Sequence, residues 1–449
     1  PKDQNRTKAF IDKLLLHQIK VYRSGDNYVV PTRQPQYRMV QSMFETYSKY
    51  RDSVYYDASA WSVANFYNMP YKSVTSLNLG EQIETTDNLV EITPVQKSDY
   101  AYVIDWDDYN APAALRYLQE NKLVLSSAFK RFSVKSGNET KQMNYGSLVL
   151  PVALQKISAD EVYELVKKTQ QKFEVPMYGV GTGLNLSGVD LGSRFIQPLK
   201  KTKAAMLIGE GSRSYEAGEV WHLLDTRVHM PISKIPMRNF NSTDFDKYNT
   251  LVMVSGRYDI DKKQLEKLKT WVTKGNTLVT IGTASKWAID KKLVKEELTD
   301  KKKDSLAKDS TKIVVRKPYV DADENLGKES VGGIIIRADL DVTHPLAFGY
   351  NDSSIPVYKN NTVWLAPSKS EYATVAKYSK NPHIDGFITN DNMEKYLKPS
   401  ASLIVSKVGG GRVVLFADNP NFRGSWYGTN RLFLNALFLG DKIQVPSRD

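Results

Sequence analysis

Three carboxylates stand almost side by side at Asp105, Asp107 and Asp108, directly after the apolar run Tyr100 to Ile104. Open α/β sheets place reactive groups just beyond the carboxyl ends of their strands. Such a trio could bind Mg²⁺ or Ca²⁺, or burial could raise one pKa and make it a general base. The bland alternative is an acidic loop that satisfies the free N–H groups of the helix that follows. A second cluster is His222, Asp225 and His229. His222-Leu223-Leu224-Asp225 imitates a zinc-binding His-x-x-Glu. On a regular helix, however, His222 and His229 stand roughly 10 Å apart along the axis, so the three are weak metal ligands unless the helix ends between them. A third group, Asn419, Asn421, Arg423 and Trp426, follows the strand-like run Arg412 to Phe416. Arg423 could grip a carboxylate with both ends of its guanidinium, and Trp426 could offer a stacking face. The plainer reading pairs Arg423 with a neighbouring acid that fixes the loop.

Other chemistry is excluded or weakened. The 449 residues contain no cysteine, so no thiol nucleophile, disulfide or Cys-ligated zinc is available. No Gly-x-Ser-x-Gly occurs. The loop Gly209-Glu210-Gly211-Ser212-Arg213-Ser214 lacks the phosphate-binding lysine, and Glu210 would repel an anion. It reads as a tight turn from strand to helix. The net charge of +12 invites a nucleic-acid reading. Yet the lysines between Lys291 and Lys312 are interleaved with Glu296, Glu297, Asp300, Asp304 and Asp309, as on a solvated insertion. No RNA-recognition signature or zinc finger accompanies them, so nucleic acid is not expected as a partner. No apolar run reaches the roughly 18 residues of a membrane span. No signal peptide opens the chain, and Pro1-Lys2-Asp3-Gln4 reads as a processed or trimmed end.

The elements that must position these groups follow from periodicity. Residues 1–97 read as a small α+β segment: a helix over Thr7 to His17, two short strands around Ser24-Gly25-Asp26-Asn27, a helix after Pro35, then an aromatic loop that includes Tyr55, Tyr56, Trp61 and Tyr71. Residues 98–199 read as an α/β domain, with a helix after Asn110 and another from Ser158, where Ser158-x-x-Glu161 has the capping-box pattern. Strands alternating with helices predict a parallel sheet there. Residues 200–449 repeat the scheme, with strands at Ala204 to Ile208, Thr250 to Val254 and Thr277 to Ile281. A helix over Asp261 to Lys274 stops at Gly275, a lysine-rich insertion falls near 290–312, and later strands and a closing helix over Asn430 to Leu439 follow.

Two resemblances add to this. The unit Leu268 to Gly282, with Gly409-Gly410-Gly411-Arg412-Val413-Val414-Leu415-Phe416, resembles class I glutamine-amidotransferase-like domains, which are flavodoxin-like parallel α/β folds. More widely, the chain resembles the C-terminal, non-peptidase region of bacterial M14-type zinc carboxypeptidase homologues. That likeness is carried by Tyr28-Val29-Val30-Pro31, Gln34 to Arg38, Tyr56 to Trp61, Ser214 to Asp225, His344 to Tyr350 and Asp418 to Gly424. The first resemblance implies a nucleophilic Cys two residues after the elbow glycine. Gly282-Thr283-Ala284-Ser285-Lys286 puts Ala284 there, and alanine cannot attack a carbonyl. The second implies that zinc and its ligands belong to an upstream peptidase domain of the same protein, with no cofactor in this chain. It also implies a periplasmic or extracellular setting. Three functions remain open: an accessory region for that peptidase domain; a binding module for a peptide, glycan or small carboxylate; and a hydrolase built on the Asp105, Asp107 and Asp108 loop.

Overall fold

The structure is a computed structural model that describes residues 3–50, 60–299 and 316–444. Tyr55, Tyr56 and most of the lysine-rich stretch lie outside the described residues. The framework is a nine-stranded mixed sheet. Its first five strands, in spatial order Ser233–Pro236, Ala204–Ile208, Thr250–Met253, Thr277–Ile281 and Gly411–Phe416, pair parallel. Buried on both faces, Leu251, Val252, Leu278, Val279, Val413 and Val414 form continuous apolar runs, as a helix-covered parallel sheet requires. The direction reverses at Gly411–Phe416. Gly409, at φ +60°, and Gly410 join it to Ala401–Val408 by a two-residue turn, which permits only antiparallel pairing. Thr374–Asp385, Ile334–Leu340 and Ser354–Lys359 extend this antiparallel half.

The middle of the chain departs from the expected parallel sheet. Its five strands, in order Ile196–Pro198, Ser126–Ala128, Leu148–Pro151, Ala101–Ile104 and Met177–Val180, are all antiparallel to their neighbours. The helix Ala111–Glu120 does carry the chain from Ala101–Ile104 to Ser126–Ala128, and those two strands run the same way. Leu148–Pro151, returned by the hairpin Phe132–Ser136/Glu139–Met143, slots between them. The helix Ala159–Phe173 packs beside Ala111–Glu120, and its predicted capping box is present, with the Ser158 hydroxyl and Glu161 carboxylate each accepting the other's backbone N–H.

One apolar cluster runs without interruption from the middle sheet through the nine-stranded sheet to the closing helix Asn430–Phe438. The first hundred residues contribute the helix Gln4–Leu16 and a small sheet of Asn27–Val29, Val21–Ser24 and Glu81–Ile83. Their apolar side, including Phe10, Ile11, Leu14 and Phe66, closes over Ile335, Tyr358 and Trp426 of the large sheet and its loops.

Candidate functional site

The parallel strands define where a ligand could sit. Ala204–Ile208 has the next strand in sequence on one side and Thr250–Met253 on the other, so the topological switch point lies between those two strands. Here that crevice is zipped shut by main chain. Arg213 donates its N–H to the Ser255 carbonyl (2.8 Å), Arg257 donates to Gly211 (2.6 Å), and Ser212 bridges Gly256. A Cβ on Gly211 or Gly256 would stand 2.3 Å from the opposing carbonyl oxygen, which is why both positions are glycine. The next strand ends along this edge are those of Thr277–Ile281 and Gly411–Phe416.

Two glutamates mark that edge. The helix Ser214–His222 places Glu216 and Glu219 three residues apart, on one face. Glu216 accepts the Ser255 N–H at 2.8 Å and lies 3.7 Å from the Arg213 guanidinium. Glu219 accepts from the Asn419 amide and from the Arg423 backbone N–H, both at 2.6 Å. Burial raises both carboxyls, Glu219 to about 7, against the lowering pull of those N–H donors.

The turn after Thr277–Ile281 has a sharp elbow. Gly282 takes φ +55° and ψ −120° and opens the helix Thr283–Asp290. In a nucleophile elbow the reacting residue occupies the strained position itself, and the N–H of the next residue helps bind the oxyanion. The strained backbone position falls on Gly282, whereas Ala284 lies inside the first helical turn and is fully buried. A Cβ on Gly282 would stand 2.2 Å from Ser255 Oγ. The same hydroxyl accepts the Thr283 N–H and donates to the Ile281 carbonyl, each at 3.3 Å. Ser255 therefore fills both the nucleophile's space and the hydrogen bond an oxyanion would need. Ser285 is equally committed: its hydroxyl engages Thr280 Oγ1 (2.9 Å) and the carbonyls of Thr280 (3.1 Å) and Phe416 (2.8 Å), with no histidine among these partners.

The loop after Gly411–Phe416 splits. Asn419 and Arg423 reach the edge through Glu219. Trp426 is 1% exposed and stacks on Phe66 at 4.9 Å, so it is core and not a ligand platform. Asn421 is buried, with both amide atoms lacking partners among the described residues. The Arg423 guanidinium instead lies 5.0 Å over the half-exposed ring of Trp61, whose backbone N–H donates to Asp385 (3.1 Å).

The other two candidates resolve differently. The regular helix ends at His222, a π-helical turn spans Leu223–Val228, and His229 sits at φ +54°. His222, Asp225 and His229 are all exposed, with the His222 ring against Gly424. Among the described residues, no group of three His, Asp or Glu side chains converges as a metal site. Asp105, Asp107 and Asp108 are engaged by protein. Asp108 accepts from Asn5 (3.0 and 2.8 Å) and from the Asn110 N–H (2.8 Å). Asp107 accepts from the side-chain amides of Asn351 (2.9 Å) and Asn144 (3.3 Å). Asp105 accepts the Asp107 N–H (2.9 Å). Buried Arg431 donates to the carbonyls of Trp106 (2.6 Å) and Asp108. Burial, reinforced by Asp107, raises Asp105 to about 6, and burial with Asp3 raises Asp108 well above the usual range.

Sequence reasoning missed Glu216, Glu219 and Ser255. Acids at i and i+3 just after the strand Ala204–Ile208 were the available signal. It also missed a buried ion pair beneath the edge, Lys359 to Asp418 at 3.1 Å, where Tyr378 (2.9 Å) and Ser402 (2.6 Å) complete the carboxylate's partners.

The site and fold define a mixed α/β protein with an elbow that carries no nucleophile. No family model matches the chain, and no curated protein matches it. Among solved structures, a ThuA-like protein of Parabacteroides merdae is 10% identical, over 56% of this chain and 93% of that one, with a TM-score of 0.37. A GMP synthase-like protein of Thermoplasma acidophilum is 11% identical, over 53% of this chain and 96% of that one, with a TM-score of 0.32. A β-galactosidase of Bacillus circulans is 16% identical, over 65% of this chain but 35% of its own, with a TM-score of 0.27.

Proposed function

We propose that this chain is the non-catalytic accessory region of a zinc-carboxypeptidase-like protein of the periplasm or cell exterior. Its large sheet is an amidotransferase-like domain without chemistry, and its role is to orient or stabilise a metallopeptidase domain upstream in the same protein. The observation that carries the inert part is the elbow, where Gly282 stands at the strained position and Ser255 Oγ occupies the space and the N–H that a reaction would use. The peptidase part rests on the sequence resemblance. The Asp105, Asp107 and Asp108 loop gives a hydrolase little support, because its carboxylates already hold protein donors.

The test is a peptidase and glutaminase assay on the purified chain with added Zn²⁺. No turnover is expected, and Ala284→Cys should add none. Gly282→Cys should also be inactive, since its side chain would meet Ser255 Oγ. Robust turnover by the unmodified chain would overturn the proposal.

A second reading, a binding module, is favoured by one feature: an exposed Arg423 standing over Trp61 beside a carboxyl that has only neutral donors.

A further inference from the structure

We propose that Glu219, Arg423 and Trp61 form a site for a free α-amino acid bound as its zwitterion, with the ammonium at Glu219 and the carboxylate at Arg423. This rests on the reading that the edge binds and does not react.

The first argument is unbalanced charge. Glu219 is partly buried, and the hydrogen bonds it accepts come from two neutral N–H groups; among the described residues no ion pair closes on it, and the Arg423 guanidinium acts on it only from beyond contact distance. A carboxylate drawn from water without a close counter-charge is costly, and a bound ammonium supplies that charge. Arg423 is the mirror case. Its guanidinium is exposed, lies over Trp61 and Phe422 at 5.0 and 5.4 Å, and forms no ion pair among the described residues. A planar guanidinium fork laid on an aromatic face suits a ligand carboxylate.

The second argument is backbone strain. Arg423 adopts φ +52° and is followed by Gly424 at φ +62°. A left-handed arginine is disfavoured where glycine would be at ease, so the conformation is held by what the residue does there. What it does is deliver its N–H to Glu219 while projecting its guanidinium over Trp61.

The signs select the ligand. A phosphate or simple carboxylate would meet Glu219, and a basic side chain would meet Arg423. The Arg423 backbone N–H donates to Glu219 at 2.6 Å, and the guanidinium's charge acts on the same carboxyl, so the two charges lie near one another. A ligand with both charges a few bonds apart therefore fits better than one that carries them on separate residues.

The experiment is calorimetric titration of the whole chain with L-leucine, L-lysine and L-glutamate at millimolar concentrations, and with N-acetyl-L-leucine and L-leucinamide. At least one free amino acid should bind saturably. Acetylation or amidation should weaken binding by about tenfold or more. Arg423→Gly, which keeps the left-handed turn, and Glu219→Gln should each do the same, with thermal unfolding verifying that the variants are folded. Absence of binding by all three amino acids overturns the proposal, as does equal binding of the acetylated compound or unchanged affinity in Arg423→Gly. An inert chain with no affinity defeats this inference alone, whereas turnover would defeat the accessory reading.

Discussion

Two regions hold carboxyls raised by burial, and they use them in opposite ways. At Asp105 to Asp108 the loop joins parts of the molecule. Asn5 comes from the first helix, Asn144 from the turn just after the strand Glu139–Met143, Asn351 from the loop just before the edge strand Ser354–Lys359 and Arg431 from the closing helix. At Glu216 and Glu219 the donors are fewer and neutral apart from Arg213, and an unpaired arginine stands nearby. A perturbed carboxyl thus reports desolvation in both places; its partners distinguish a structural joint from a candidate site.

The comparison breaks most visibly if the joint is cut. Arg431→Ala should destabilise the chain by about 3–5 kcal/mol, because it leaves the buried Trp106 carbonyl without its donor, leaves Asp108's carbonyl with only the Ala111 N–H, and removes the positive charge facing Asp108 and Asp3. Urea unfolding checks this. A loss below about 1 kcal/mol would mean the joint contributes little.

Glu219 sharpens the contrast through pH. Its folded pKa, about 7, exceeds its ordinary 4.5. Below the lower value both states are protonated and its stabilising contribution is fully present. Between the two, the unfolded chain ionises first, so stability falls as pH rises through that window. The loss should reach up to about 3 kcal/mol. Glu219→Gln should remove this part of the dependence, read as the difference between variant and wild-type unfolding free energies from pH 4.5 to 7. An unchanged profile would place the Glu219 carboxyl in water.

Much of the frame was legible in sequence because periodicity and caps are local: the strand Thr277–Ile281, the Ser158 box, the Gly275 stop and the closing helix all follow from neighbours in the chain. Strand order was not. The antiparallel insertion of Leu148–Pro151 depends on where a hairpin returns, which alternation of helix and strand does not encode. The site was half legible for the same reason. Arg423 and Asn419 were visible as loop residues beyond a strand, but Trp426 and Trp61 exchange roles through packing. Phe66 and Tyr358 draw Trp426 inward, while Asp385 fixes Trp61 outside. Nothing near Gly282 in sequence announces Ser255, which arrives from the neighbouring strand's end.

The smallest expected effect is the most discriminating. Arg423→Gly relieves a left-handed residue, so the folded state should lose strain while the unfolded chain gains freedom. The two terms oppose, and the cation–aromatic contact with Trp61, worth about 0.5–1 kcal/mol at an exposed site, is also lost. The net change should stay within about 1 kcal/mol of zero, measured by thermal and urea unfolding. The backbone N–H that donates to Glu219 survives the substitution, so Glu219's pH dependence should persist, its pKa moving upward as the guanidinium's lowering pull is lost. If the variant instead destabilises by several kcal/mol, the guanidinium belongs to the architecture, as Arg431 does, and the difference between the two regions disappears. If stability holds, the side chain at 423 is free to serve a ligand, and the left-handed turn can be credited to that use.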